Sequence, residues 1–181
     1  MNAYDLSEVD ILIVEDNWIL RSLLAEVLNG LGTPHPRVAR DGTQALTEIA
    51  LKAPDLVITD WEMSPMDGIE FVRHVRDETA SPCPALPIIM LTGHGEREKV
   101  EEARDAGTNE FLIKPFTTHA LYQRIVYLIE RPQHFVRSGE YFGPDRRRKV
   151  EDFAGEDRRQ DDPDLVMLGD DEHKADVEAQ N

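Results

Sequence analysis

Residues 55–68, DLVITDWEMSPMDG, contain a strand-like run that ends on an aspartate. The apolar run at their start has the composition of a buried strand, and it ends on Asp60, just before a turn that contains proline and glycine. In an open parallel sheet, ligands lie outside the carboxyl ends of the strands. A strand that ends on Asp therefore presents a carboxylate in that crevice, although a single Asp at a strand end is also a common turn residue.

Two other strand-like runs end on charged residues. VDILIVEDN, residues 9–17, ends on Glu15 and Asp16, and EFLIKPF, residues 110–116, has Lys114 after its apolar part. If these strands are parallel neighbours of the first, three carboxylates and one ammonium meet at one sheet edge. Packed carboxylates repel each other unless a cation joins them, and Mg²⁺ prefers oxygen ligands. The three strand ends together predict a magnesium-dependent site.

Short apolar runs alternate with amphipathic helical patterns five times, which predicts a parallel sheet with helices on both faces. Strands are predicted at 11–14, 36–40, 56–60, 88–92 and 110–113, and helices at 19–31, 42–52, 68–79, 95–106 and 117–130. The apolar stripe of the first helix is predicted to be core; it comprises Ile19, Leu20, Leu23, Leu24, Val27, Leu28 and Leu31. The helix at 95–106 offers only Val100, Ala103 and Ala106 for burial, so it is predicted to be an element that moves.

Composition excludes several classes of protein. The net charge of −16 over 181 residues argues against a protein that binds duplex nucleic acid, because phosphate contact needs a basic face. A single cysteine, Cys83, excludes an internal disulfide and a cysteine-rich zinc site. No apolar run approaches the roughly 18 residues of a membrane helix, and the first ten residues lack the apolar segment of a signal peptide. We therefore expect a cytoplasmic protein with no membrane or DNA partner.

The chain is predicted to have three parts: an N-terminal lead at 1–8, a globular domain at 9–132 and a tail at 133–181. The tail holds 8 Lys and Arg against 14 Asp and Glu and lacks sustained apolar periodicity, so it is predicted to be mostly disordered. It contains a loose repeat, FGPDRRR at 142–148 and FAGEDRR at 153–159. A solvated charge run and a docking motif with phenylalanine anchors both remain open for this repeat.

Over residues 8–131 the chain resembles the response regulator receiver domain of two-component systems. The resemblance rests on four motifs: the acidic pair Glu15-Asp16, DWEMSPMDG with Asp60 at the phosphoacceptor position, LTG with Thr92, and the pair Lys114-Pro115. It implies a flavodoxin-like doubly wound (βα)5 fold with strand order 2-1-3-4-5, two helices on one face and three on the other.

The resemblance also implies roles for single residues. Asp60 accepts a phosphoryl group from a histidine kinase or a histidine phosphotransfer protein. Mg²⁺ is held by Asp16, by Asp60 and by the backbone carbonyl of Glu62, with Glu15 contacting it mostly through water. Lys114 pairs with the phosphoryl oxygens or, before transfer, with Asp60.

A conformational switch is implied in the same way. Thr92 donates its hydroxyl to the new phosphoryl group, and Phe111 occupies the position of the switch aromatic. The Lys114-Pro115 bond is expected to be cis. The helix at 95–106, the fifth strand and the last helix then form the surface where a partner or a second copy of the chain docks.

Three functions follow from these residues. The first is a stand-alone signalling module that works by phosphorylation-dependent protein contact, with no DNA-binding domain and no role as a metabolic enzyme. The second is a phosphate sink or relay intermediate in the same kind of system. The third is a phosphatase with an aspartate nucleophile; such enzymes usually carry a second Asp where this chain has Glu62, and the chain has no cap domain.

Overall fold

The structure is a computed structural model that describes residues 4–93, 97–139, 141–145 and 165–166. The main sheet has five parallel strands in the order β2-β1-β3-β4-β5, which confirms the fold prediction. Its strands are β1 Ile11–Val14, β2 Arg37–Ala39, β3 Leu56–Asp60, β4 Ile88–Thr92 and β5 Glu110–Ile113. The helices between and after them are α1 Trp18–Gly30, α2 Gly42–Leu51, α3 Gly68–Arg76, α4 Arg97–Asp105 and α5 Thr118–Glu130.

The helices cover the two faces of the sheet unequally, as predicted. Successive strand residues point to opposite faces, and each face has its own apolar cluster. One cluster joins Ile11 and Ile13 of β1 to Leu24 and Leu28 of α1 and to apolar residues of α5. The other joins Leu12 and Val14 to residues of α2, α3 and α4. The sheet is therefore packed against an apolar cluster on each of its two faces.

Side-chain caps fix where four of the helices begin. The side chains of Asn17, Asp41, Asp67 and Thr117 accept hydrogen bonds from backbone amides in the first turns of α1, α2, α3 and α5. Helix α3 ends at Arg76, three residues before its predicted end. It ends there because Asp77 Oδ1 accepts from the amide and the hydroxyl of Thr79, which folds the chain into a turn.

The prediction that the whole apolar stripe of α1 is core is wrong for the first half of the helix. Ile19 is 57% exposed and Leu23 is 54% exposed, and Trp18 beside them is 68% exposed. Only Leu24 and Leu28 of the helix are buried. Leu24 and Leu28 belong to the apolar cluster on this face of the sheet, whereas Ile19 and Leu23 lie outside it.

A β-hairpin follows α5 where the tail was predicted to begin. Strands β6 Phe135–Ser138 and β7 Tyr141–Pro144 are antiparallel, and a two-residue strand, β8 Leu165–Val166, pairs with the other edge of β6. Phe135 and Phe142 are buried with their ring centroids 5.4 Å apart. Residues 135–138 and 141–144 therefore form an ordered part of a tail that was predicted to be mostly disordered, because two aromatic side chains pack against each other there.

Other parts of the tail prediction lie outside the described residues. These parts are the second copy of the repeat, residues 153–159, and the end of the first copy, residues 146–148. No helix in the described ranges has the length and apolar character needed to cross a membrane.

Candidate functional site

The charged residues at the end of β3 and directly after β1 and β5 lie at the same edge of the sheet. Backbone hydrogen bonds continue past the ends of the strands and hold them there. The Glu15 amide donates to Ala39 O at 3.1 Å, and the Lys114 amide donates to Thr92 O at 2.7 Å. The side chains at this edge are therefore positioned by sheet geometry rather than by flexible loops.

Lys114 bridges two buried carboxylates. Its Nζ lies 2.8 Å from Asp60 Oδ1 and 3.3 Å from Glu15 Oε2. Glu15 is 1% exposed and Asp60 is 7% exposed. The structure thus brings together three of the residues that the sequence placed at this edge, one from each of three strands.

The local charge balance at this cluster is negative. Burial raises the pKa of Glu15, and the charge of Asp60 raises it further, while Lys114 acts in the opposite direction. One ammonium does not fully compensate two buried carboxylates. A further cation at this point would relieve the repulsion.

The turn after β3 packs tightly against the Asp60 carboxylate. The Trp61 amide donates to Asp60 Oδ1 at 2.8 Å, and the Gly68 amide donates to Trp61 O at 2.8 Å. A Cβ on Gly68 would collide with the carbonyl oxygen of Asp60. Position 68 therefore requires glycine, which lets α3 begin directly beside Asp60.

The acidic pair after β1 is held by an arginine that sequence reasoning missed. Arg21 Nη1 donates to the backbone carbonyls of Glu15 and Asp16, the latter at 3.2 Å. The Asn17 amide donates to Glu15 Oε1 at 3.1 Å. Asp16 itself is exposed. Arg21 stands one helical turn after Asn17, which is the only sequence signal that could have indicated this contact.

The donor set fits a hard divalent cation. The side chains of Glu15, Asp16 and Asp60 offer oxygen atoms, and Glu62, which is exposed, follows Asp60 by two residues. Within the described ranges, no three His, Cys, Asp or Glu side chains are already gathered at metal-binding distance. Mg²⁺ takes only one or two carboxylates and keeps several waters, so such a gathering is not required.

Thr92 and Phe111 lie on the face of the sheet that α4 covers. Thr92 is buried and follows Leu91, which pairs with Asp60 across β3 and β4. Phe111 pairs with Met90 and packs against the cluster on the side of α2, α3 and α4. Since alternate residues of a strand share a face, Thr92 lies on the same side as Met90. The Lys114-Pro115 bond is cis.

A cation–π contact joins α4 to the turn that follows β3. Lys99 of α4 places its Nζ 5.2 Å from the centroid of the Trp61 ring, which is a cation–π distance. Trp61 is the residue directly after Asp60 and is 7% exposed. This pairing could not be predicted from the sequence, because the two residues are distant in the chain and nothing in either segment requires the other.

Comparisons with known proteins agree with this geometry. A family model described as the response regulator receiver domain matches residues 11–126. The chain is 34% identical over 131 residues to the chemotaxis protein CheY-3 of Vibrio cholerae, covering 72% of this chain and 99% of the relative. It is 38% identical over 122 residues to the chemotaxis protein CheY of Pseudomonas aeruginosa, covering 67% of this chain and 96% of the relative.

Solved structures show the same likeness. The chemotaxis protein CheY4 of Vibrio cholerae superposes with a TM-score of 0.59 at 30% identity, covering 65% of this chain and 96% of the other. A response regulator from Chloroflexus aurantiacus superposes with a TM-score of 0.63 at 33% identity, covering 68% of this chain and 98% of the other.

Proposed function

Because this chain belongs to the response regulator receiver family of two-component signalling, we propose that Asp60 accepts a phosphoryl group from the phosphohistidine of a histidine kinase or a histidine phosphotransfer protein. The observation that carries the proposal is the 2.8 Å contact between Lys114 Nζ and Asp60 Oδ1 at a buried strand end. A carboxylate held beside a fixed cation is placed to act as a nucleophile toward a phosphoryl group.

The geometry suggests how the transfer proceeds. Asp60 Oδ1 already accepts from the Trp61 amide and contacts Lys114, which leaves Oδ2 as the attacking oxygen. A bond forms between this oxygen and phosphorus while the P–N bond breaks, and its electron pair stays on the imidazole of the donor. Lys114 then faces the phosphoryl oxygens and stabilises their charge.

Magnesium fits the same site. Its ligands would be Asp16, Asp60 and the backbone carbonyl of Glu62, with Glu15 contacting the ion mostly through water. The ion supplies positive charge that allows an anionic phosphodonor to approach the carboxylates. In this proposal, Glu15 contributes mainly through the negative charge that it holds next to Asp60, and Arg21 keeps the backbone of the acidic pair in place.

The exposed half of α1 is the surface that we assign to the phosphodonor. Trp18, Ile19, Leu20 and Leu23 form this apolar patch, and Trp18 follows the acidic pair by only two residues. A donor histidine must come within bonding distance of Asp60, so the donor protein has to cover the surroundings of the site. Exposed tryptophan and leucine side chains there supply apolar contact area for a protein partner.

The output of this receiver is protein contact through α4, β5 and α5. A phosphoryl group on Asp60 adds nearly two negative charges near Thr92 and draws its hydroxyl inward by a charge-assisted hydrogen bond. Phe111 then rotates into the space beside Thr92, and α4 shifts. Ile113 and Tyr127 are apolar residues exposed on this surface, which suits a partner or a second copy of the chain. A phosphate sink or relay would use the same acceptor without this output contact.

The proposal can be tested with a small phosphodonor such as acetyl phosphate. With Mg²⁺ present, the intact protein should gain the mass of one phosphoryl group, and addition of EDTA before the donor should abolish the gain. Absence of any mass gain at saturating Mg²⁺ and donor would contradict the proposal.

A further inference from the structure

Arg76 is a buried cation whose hydrogen-bond partners are neutral. It is 5% exposed, and burial lowers its pKa to about 9, so that it keeps its charge at neutral pH. Its guanidinium donates to Gly107 O at 2.9 Å, to Pro84 O at 2.7 Å and to Leu86 O at 2.8 Å. It also donates to Asn109 Oδ1 at 2.8 Å. The side chain therefore ties the end of α3 to the segment before β4 and to the connection between α4 and β5.

The hairpin of β6 and β7 packs on this arginine. The Arg76 guanidinium lies over the ring of Phe135, with Cζ 5.0 Å from the ring centroid. Arg137 Nε donates to Glu78 Oε2 at 3.0 Å, and Arg137 Nη2 reaches Oε1 of the same carboxylate. Asn109 Nδ2 donates to Gln133 Oε1 at 3.0 Å. The hairpin is thus attached to the receiver by a ring contact and an ion pair, and the residues just before it are attached by the Gln133 amide.

The hairpin also meets the end of α4 directly. Gly107, two residues after the end of α4, has a φ of +99° and lies against the side chain of Arg76. A Cβ added to Gly143 of β7 would stand only 3.1 Å from Gly107 Cα, so the two backbones are in close approach. The end of α4 is therefore enclosed between Arg76 and β7.

The first turn of α4 consequently contacts the turn after β3, and the segment that follows α4 contacts the hairpin. Lys99, in the first turn of α4, lies over Trp61, while Ala103 of α4 and Ala106, directly after the helix, are buried. A rigid helix held at both points transmits a displacement from one to the other. Few buried side chains oppose such a displacement.

We propose that the hairpin Phe135–Pro144 is a sensor of the phosphorylation state of Asp60, docked on Arg76 and the end of α4 in the state described here and loosened when α4 shifts. This inference rests on the proposed function, since it takes the charge change at Asp60 as the event that moves α4. Coupling between two sites is reciprocal, so weaker docking of the hairpin must also favour the activated receiver.

The test uses hydrogen exchange of the full-length chain with and without Mg²⁺ and beryllofluoride, which mimics the phosphoryl group. Amides of residues 135–144 should exchange at least several-fold faster in the activated protein. Binding at the site is followed separately by Trp61 fluorescence in a Trp18→Phe background. If beryllofluoride binds but amide exchange in the hairpin is unchanged, the sensor proposal alone is wrong. If beryllofluoride does not bind, both the proposed function and the sensor proposal are wrong.

Variants test the reciprocal effect. Arg137→Glu removes the ion pair with Glu78 and should tighten beryllofluoride binding several-fold, because the docked hairpin holds α4 back. The double variant Glu78→Arg/Arg137→Glu re-forms the pair with reversed charges and should restore the affinity of the unchanged protein. Phe135→Ala, which removes the ring beneath Arg76, should act in the same direction as Arg137→Glu. Equal affinities in all of these variants would contradict the sensor.

Discussion

Lys114 and Asp60 make a 2.8 Å ion pair across the end of β4, although the strands that carry them, β5 and β3, are not neighbours. The residue that lies between them at the end of β4 is Thr92, whose carbonyl oxygen accepts from the Lys114 amide. A charge added to Asp60 therefore acts directly on the Lys114 ammonium and on Thr92 at the end of β4, which lies beside α4. Asp60 is thus linked to the segment that leads into α4 by a short series of contacts through Lys114 and Thr92.

Replacement of Lys114 by Met should destabilise the protein in the absence of divalent cations, because Glu15 and Asp60 then face each other without a cation. Removing one partner of a buried ion pair costs about 3–5 kcal/mol, and the partial exposure of Lys114 reduces this to roughly 1–3 kcal/mol. Urea unfolding in EDTA measures the loss. A Lys114→Met/Glu15→Gln double variant should recover part of it, and a simple sum of the two single effects would contradict the assigned repulsion.

Replacement of Glu15 by Gln should stabilise the metal-free protein at neutral pH. The pKa of Glu15 is raised in the folded state above its ordinary value of 4.5, chiefly by burial. The folded protein therefore binds more protons than the unfolded chain in the window above 4.5, and its stability falls as pH rises through that window. The advantage of Glu15→Gln should accordingly be present at neutral pH and shrink as pH falls toward 4.5. If the stability gain from Glu15→Gln grew as pH fell, the pKa of Glu15 would be lowered in the folded state, which would contradict the prediction.

Gly68→Ala should lower both stability and phosphoryl acceptance, since the added methyl group collides with the Asp60 carbonyl at the start of α3. We expect a cost of about 1–3 kcal/mol, typical of overpacking. Gly30→Ala is the matched control, because a Cβ there meets nothing within 4 Å. The control should be neutral or stabilising by up to ~1 kcal/mol. Thermal unfolding compares the two variants, and equal melting temperatures would contradict the steric argument.

The apolar patch on α1 should matter only for transfer from a protein donor. Trp18→Ala/Leu23→Ala should leave phosphorylation by acetyl phosphate unchanged, because neither side chain is placed in the acceptor site. Transfer from a phosphorylated histidine phosphotransfer protein should slow by about tenfold, equivalent to ~1.4 kcal/mol of lost contact. Leu51→Ala is the control, since Leu51 is 78% exposed on α2. If the control slows transfer as much, or acetyl phosphate labelling falls too, the patch is misassigned.

The sheet and the meeting of Glu15, Asp60 and Lys114 at its edge could be predicted from the sequence because their signals are local. Each buried strand is a short apolar run, and the chemistry stands at the residue where the run stops, as at Asp60 and Lys114. Parallel strands bring their carboxyl ends to one edge whatever the loops between them do. The pattern of strand ends therefore carried both the fold and the composition of the site.

The features that were missed depend on contacts between distant segments. Arg76 looks like an ordinary basic residue at a helix end, and nothing near it in sequence shows that carbonyls of Leu86 and Gly107 surround it. The hairpin was missed for the same reason, since Phe135 is stabilised by that hidden guanidinium. The exposed half of α1 was read as core because periodicity shows which residues are apolar but not what covers them.

The most direct test of phosphoryl acceptance is peptide mapping after labelling with acetyl phosphate and Mg²⁺, carried out on the unchanged protein, on Asp60→Asn and on Asp67→Asn. Asp67 caps α3 close to the site, and Asn caps a helix equally well, so this variant keeps the fold and removes a neighbouring carboxylate. We expect one modified residue, Asp60, in the unchanged protein and in Asp67→Asn, and no label in Asp60→Asn. Label at wild-type stoichiometry on Asp60→Asn, or its loss in Asp67→Asn alone, would contradict it.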